Sequence, residues 1–351
     1  MTLADLGGWP AVLGPLTRGA DLTSAQAAAA LSDILEGRAT SAQIAGFCVS
    51  LRIKGETVDE MTGLLGAMLD HAQPVPLPPG CEPVDTCGTG GDRSGTINAS
   101  TLAALVVAGA GAPVCKHGNR AASSACGSAD LLEALGVVID LGPAEVAACV
   151  AQAGMGFCFA PRFHPALRHA GPTRRELGVP TVFNFLGPLA NPARLRRQSL
   201  GVSDPAMAEK MIGVLAARGA ERALVVYGHD GLDEITTTTT STVLELRHGE
   251  IRTYVVDPAA LGLAPATAEE LQGGDPATNA DLARRVLAGE PGARRDFILL
   301  NAAAGMVAAG LADDVAAGLK LAADAIDDGR AAGVLDRLVR VSSEQAAAAT
   351  G

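Results

Sequence analysis

Aromatic residues are scarce in this chain. They make up 3% of its 351 positions, with one Trp and two Tyr, so the core must be packed from Ala, Leu and Val. Positive charge is also short. Lys and Arg number 27 against 38 Asp and Glu, a formal net charge of −11. That excludes a general nucleic-acid binder, which needs a net basic footprint. It still permits a local basic pocket for a small anion. No C-x-x-C occurs among Cys48, Cys81, Cys87, Cys115, Cys126, Cys149 and Cys158, and their number is odd. They read as small buried apolar side chains in a reducing compartment rather than zinc ligands. The longest apolar run, Leu102 to Cys115, contains two glycines and a proline and is too short for a bilayer. The N-terminus lacks a basic start followed by an apolar core. A soluble, cytoplasmic protein with no membrane partner is expected.

What is present is helix-forming. Hydrophobic residues are 48% of the chain, rich in Ala and Leu. Thr23/Gln26, Thr40/Gln43 and Thr57/Glu60 each have the capping-box spacing, and Gly37 and Gly55 stand where helices would end. Residues 1–72 therefore read as an α-helical domain. "AQPVPLPPG" (72–80) carries four prolines in nine residues and reads as an extended linker. From residue 80 to 351 the pattern alternates. Strands are expected at "EPVDTCG", "APVCKHG", "VVIDL" (137–141), "MGFCFAPRF" and "ERALVVYG", with helices between them. That order argues for a mostly parallel sheet in an α/β domain. A Pro- and Asn-rich segment at 163–195 interrupts the rhythm. The β-branched run Thr236–Thr240 is expected to be strand, and residues 278–349 to be helical.

The chemistry concentrates in "DTCGTGGDRSGTINAST" (85–101) and "CKHGNRAASSACGSAD" (115–130). Gly88, Gly90 and Gly91 follow a strand and precede a helix, so their N–H groups can converge on an anion. The helix start at Asn98, Ser100 and Thr101 is a second anion site. Lys116 and Arg120 add positive charge, and Ser123, Ser124 and Ser128 precede another helix. A ligand with two phosphate-bearing ends would explain two clusters. Taken singly, each serine also fits an ordinary helix cap. Two familiar loops do not match. A dinucleotide fingerprint needs glycine where Arg93 stands, and no Lys follows these glycines as a P-loop requires.

These blocks, with "RHAGPTRRELGVPTVFNFLGPLANPA", "GHDGLDEITTT" and "GRATSAQIAGFCVSLRIKGETVDEMTG", resemble the anthranilate phosphoribosyltransferase family over most of the chain. The resemblance implies a small N-terminal α-helical domain plus a larger α/β domain with a mostly parallel central sheet, of the nucleoside phosphorylase/phosphoribosyltransferase kind. In that architecture 163–195 would return to the helical domain, which would also form a homodimer. The implied donor is 5-phosphoribosyl 1-pyrophosphate. It would be held by Gly88, Gly91, Asp92, Thr96, Asn98, Ala99, Ser100, Thr101, Lys116, His117, Gly118, Asn119, Arg120, Ala121, Ala122, Ser123, Ser124 and Ser128. Anthranilate would meet Gly88, Asn119, Pro161, His164 and Arg174, with Arg174 taking its carboxylate. Two Mg²⁺ ions would be held through Ser100, Asp233 and Glu234. Hard oxygen ligands of this kind suit Mg²⁺. The implied reaction is displacement at the ribose C1 with no covalent intermediate, in tryptophan biosynthesis, and no general base is assigned. Arg93 and Ala99 depart from the family's usual glycine and branched aliphatic residue. The competing readings are a pyrimidine nucleoside phosphorylase of the same fold and a non-catalytic, nucleic-acid-binding relative.

Overall fold

The computed structural model describes residues 2–121 and 125–350. Helices Ser24–Leu35, Ser41–Lys54 and Val58–Asp70 begin at Thr23, Thr40 and Thr57. In each case the threonine hydroxyl accepts the third helical N–H while Gln26, Gln43 or Glu60 reaches back to the cap's own N–H, so the capping boxes are real. Residues 72–80 then run without helix or strand.

The sheet has seven strands in the order β3-β2-β1-β4-β5-β6-β7. They are β1 Val84–Gly88, β2 Val114–Gly118, β3 Met155–Phe159, β4 Arg197–Gly201, β5 Arg222–Gly228, β6 Ser241–Arg247 and β7 Glu250–Val256. The first five are parallel, and β6 and β7 add an antiparallel hairpin. The chain winds outward from β1 through β2 to β3, then crosses to β4 on the other side of β1. The strand order thus reverses between β1 and β4, and α/β sheets leave a crevice at the carboxyl ends of strands at such a point.

Two apolar bodies sandwich the sheet. On β5, Leu224 and Val226 face one and Ala223 and Val225 the other, as a period-two strand buried on both faces requires. The first body includes the helices Ala99–Gly109 and Ala293–Ala309. The second joins the N-terminal helices to Val182–Leu189 and Pro205–Ala217. Elements of the 163–195 segment therefore share a core with the N-terminal helices.

Three local expectations fail. Val137–Leu141 is not a strand: Val138 N–H donates to Ser342 Oγ at 3.1 Å, so a side chain replaces the ladder partner. The strand at Met155 stops at Phe159, and Ala160–Phe163, containing Pro161, turns into a short helix. Thr236–Thr240 is irregular, and β6 begins only at Ser241. There Asp230 accepts the hydroxyls of Thr236 and Thr238, and Thr236 N–H donates to Ser241 Oγ. Side-chain hydrogen bonds to the local backbone outweigh β-propensity.

Candidate active site

The strands β1, β2, β4 and β5 all end in glycine: Gly88, Gly118, Gly201 and Gly228. At Gly88 and Gly201 the reason is space. A Cβ on Gly88 would collide with the Asp233 carboxylate, and one on Gly201 would collide with the Asp233 backbone carbonyl. The turn after β5 is thereby pressed onto the ends of β1 and β4. It is fixed from below by Asn301, in the middle of the helix Ala293–Ala309. Asn301 Oδ1 accepts Ile235 N–H and its Nδ2 donates to Ile235 C=O, both at 2.9 Å. One side chain thus satisfies both polar groups of the residue that follows the acidic pair.

Above this floor lies a cavity of about 350 Å³. Its lining includes Gly88, Gly91, Asp92, Thr96, Asn98, Ala99, Ser100 and Thr101 from the first expected block. From the second it includes Lys116, His117, Gly118, Asn119, Arg120, Ala121 and Ser128, and Asp233 and Glu234 complete it. Ala122, Ser123 and Ser124 lie outside the described residues. Pro161, His164 and Arg174 are not part of this lining. His164 sits behind His117, with ring centroids 5.0 Å apart. The Arg174 guanidinium lies 4.9 Å from the Phe183 ring centroid, and its buried Nε has no hydrogen-bond partner among the described residues. The adjacent Asn184 does reach the cavity, from the helix Val182–Leu189. Asn184 was missed in the sequence because it also reads as the third residue of a capping box with Thr181, a role it does fill.

The cavity offers complementary polar groups. Gly90 N–H donates to Asp233 Oδ2 at 2.6 Å, tying the glycine loop to the acidic turn. The helix Ala99–Gly109 starts without a side-chain cap, because Asn98 Oδ1, the atom that would cap it, accepts Asn279 Nδ2 at 2.9 Å while Asn98 Nδ2 donates to Cys126 C=O. Its first N–H groups stay available for an anion. Lys116 is fully buried and donates to Thr86 C=O and, at 3.2 Å, to Ser100 Oγ. Burial lowers its pKa, against the pull of Asp85, Cys87 and Glu234. Asp85 itself is pushed up to about 6 by burial, opposed by Lys116 and Asn191. His117 is driven down to about 3 by burial, then by His164. It is neutral near pH 7 and a poor base.

Asp92, Asp233 and Glu234 place carboxylate oxygens within 4.8 Å of one another. Burial, then repulsion from Asp92, raises Asp233 to about 6, and burial plus Asp233 raises Glu234 well above its ordinary value. Glu234 Oε2 is buried without a hydrogen-bond partner among the described residues. Three hard oxygen donors with unmet negative charge fit a divalent cation such as Mg²⁺. Asp92 thus joins the acidic pair in space, a proximity hidden in sequence by the 140 positions that lie between it and Asp233.

Two family models match the chain. The helical bundle domain of a glycosyl transferase family covers residues 10–72, and its a/b domain covers residues 81–332. Anthranilate phosphoribosyltransferase of Salinispora arenicola is 54% identical over 341 residues, covering 95% of this chain and 96% of that protein. The enzyme of Acidothermus cellulolyticus is 55% identical over 345 residues, covering 97% and 96%. Among solved structures, anthranilate phosphoribosyltransferase from Thermus thermophilus superposes with a TM-score of 0.89 at 41% identity, covering 95% of this chain and 99% of that one. The Saccharomyces cerevisiae enzyme in complex with PRPP and Mg gives 0.86 at 27% identity, covering 96% and 98%. With that identity sustained along nearly the whole chain, and the same fold, the chain belongs to the anthranilate phosphoribosyltransferase family.

Proposed function

We propose that the chain transfers the 5-phosphoribosyl group of 5-phosphoribosyl 1-pyrophosphate to the amine of anthranilate, releasing pyrophosphate, as a step of tryptophan biosynthesis. The observation that carries this reading is the meeting of four features around one cavity in a chain of this family. They are the glycine-loop amides, an uncapped helix start, a buried lysine and an acidic turn.

The residues divide the work. The amides at Gly88–Gly91, with Thr96 and the start of the helix at Ala99, hold the diphosphate and ribose portions of the donor. Asn119, Arg120 and Ser128, with the adjoining segment 121–124, hold the remaining phosphate. Arg174 takes the anthranilate carboxylate, a bidentate use of a guanidinium whose Nε is otherwise unpaired. Asn119 meets the amine side, and Pro161 and His164 stand behind the entry. Asp233, Glu234 and Ser100 would hold Mg²⁺, two ions in this reading, which when bound neutralises charge on the departing diphosphate. No side chain is assigned as general base. The aromatic amine is neutral at pH 7 and loses its proton late, to water or pyrophosphate. Positioning and charge stabilisation by the chain carry the rate.

The division at 1–72 and 80–351, with 163–195 returning to the helical part, belongs to the same reading; the family-model bounds at 10–72 and 81–332 support the division, and the apolar core that 163–195 shares with the N-terminal helices supports the return. Exposed Ile53 and Val179, at 82% and 54% exposure, lie on that helical part and support a homodimer through it. No helix among the described residues is long and apolar enough to cross a membrane, and a cytoplasmic site of action is proposed.

Anthranilate fluorescence provides the test. It should fall only when phosphoribosyl pyrophosphate and Mg²⁺ are both present. Phosphorolysis of a pyrimidine nucleoside instead would move the chain to the nucleoside phosphorylase reading. Salt-sensitive DNA binding without turnover would move it to a non-catalytic one.

A further inference from the structure

Arg93 is an unusual residue for its place. Its φ is +58°, in the left-handed region that favours glycine, and it lies among Gly90, Gly91 and Gly95 at φ +64°, +87° and +69°. An L side chain held there carries a conformational cost that glycine would not. The other cations of the lining are occupied. Arg120, proposed above for the other phosphate, already pairs with Asp130 and Glu133, at 3.0 and 2.5 Å, and its guanidinium lies 5.5 Å from the Phe159 ring centroid. Lys116 lines the cavity but is fully buried, and it donates to Thr86 C=O and Ser100 Oγ. Arg93 is exposed, lines the cavity, and has no ion pair or hydrogen bond among the described residues. It directly follows Asp92, a member of the carboxylate cluster.

We propose that Arg93 is a binding residue for the diphosphate end of the donor, and that its guanidinium supplies the mobile positive charge this lining otherwise lacks. The inference rests on the proposed substrate. An anionic ligand end beside Asp92, Asp233 and Glu234 needs positive charge close by, and a planar, permanently charged fork suits phosphate oxygens. The end is chosen by position: Arg93 shares its loop with Asp92 of the acidic cluster, whereas Asn119 and Ser128 come from the segment that follows β2. The residue acts on binding, and no bond is made or broken by it.

The test is calorimetric titration of the full-length protein with inorganic pyrophosphate and Mg²⁺, and separately with ribose 5-phosphate. Wild type, Arg93→Gly and Arg93→Lys are compared. Arg93→Gly should weaken pyrophosphate binding about three- to tenfold, the range for a solvent-accessible charged contact. It should also flatten the salt dependence and leave ribose 5-phosphate unchanged. Its melting temperature should not fall, because glycine accepts this φ freely, so a binding loss cannot be put down to misfolding. Arg93→Lys, which keeps the charge but not the fork, should recover the salt dependence and only part of the affinity. Unchanged pyrophosphate affinity in Arg93→Gly, or an equal loss for ribose 5-phosphate, overturns the proposal while leaving the substrate assignment standing. Wild-type protein that binds neither ligand overturns both.

Discussion

Gly201→Ala isolates the close approach on which the acidic turn depends. Gly201 ends β4, and its φ is not in the left-handed region, so alanine meets no backbone penalty there. The conflict is purely one of space. The added Cβ would sit 2.6 Å from the Asp233 carbonyl carbon and closer still to its oxygen. Carbon atoms pack best at about 3.5–4.0 Å and the oxygen contact is tighter still, so the turn must retreat by more than about 1 Å. It cannot do so freely, because Asn301 holds Ile235 two residues on. Overpacking of this kind costs about 1–3 kcal/mol of stability. A misplacement of about 1 Å in a catalytic constellation can cost on the order of a hundredfold in rate. The assay is steady-state turnover as a function of Mg²⁺, with urea unfolding alongside. The expected result is a large fall in kcat and a raised Mg²⁺ requirement, exceeding what the stability loss explains. Wild-type kcat and Mg²⁺ dependence in Gly201→Ala would refute the claim that Gly201 exists to seat the acidic turn.

Other consequences can be checked in the same assays. Asn301→Leu leaves the buried N–H and C=O of Ile235 unpaired, which should cost about 2–4 kcal/mol and raise the Mg²⁺ concentration for half-maximal stabilisation in thermal melts. An unchanged Mg²⁺ response would show that the clamp is merely structural. Arg174→Ala should raise the KM for anthranilate by roughly 10- to 100-fold with little change in donor binding. Equal losses for both substrates would reject that assignment. Without metal, Asp233 is raised in the folded state to about 6 from 3.8, mainly by burial. Its protonated form therefore favours the fold below pH 4, and that contribution is lost as pH rises through 6. Urea titrations without Mg²⁺ should show wild type losing stability relative to Asp233→Asn over that interval, and parallel curves would contradict the burial argument. Because His117 lies near 3, the kcat profile should show no ionisation of this residue between pH 5 and 8. A limb near 6.5 that vanishes in His117→Asn would place it in the chemistry.

Local grammar made much of this fold legible. The three threonine caps are specified within four residues each, and the first helices start where those residues place them. The glycine loop and Lys-His-Gly-Asn block were readable because each runs through the carboxyl end of a strand, β1 at Gly88 and β2 at Gly118. Long-range packing was not readable. Asp92 meets Asp233 only because β1 and β5 lie on either side of β4. Asn301 is an unremarkable mid-helix residue until the helix Ala293–Ala309 is laid under the turn after β5. Thr236–Thr240 has the composition of a strand, yet Asp230 recruits its hydroxyls into an irregular turn. Val137–Leu141 has the β-branched, apolar composition of a strand, yet Ser342, 204 residues from Val138, takes the hydrogen bond a neighbouring strand would need.

The most direct measurement is a crystal structure of the protein soaked with phosphoribosyl pyrophosphate and Mg²⁺. The donor should lie in the cavity between Gly88–Thr101 and Lys116–Ser128, with metal density against Asp233 and Glu234. Donor bound at any other surface, or metal bound away from those two carboxylates, would contradict the account.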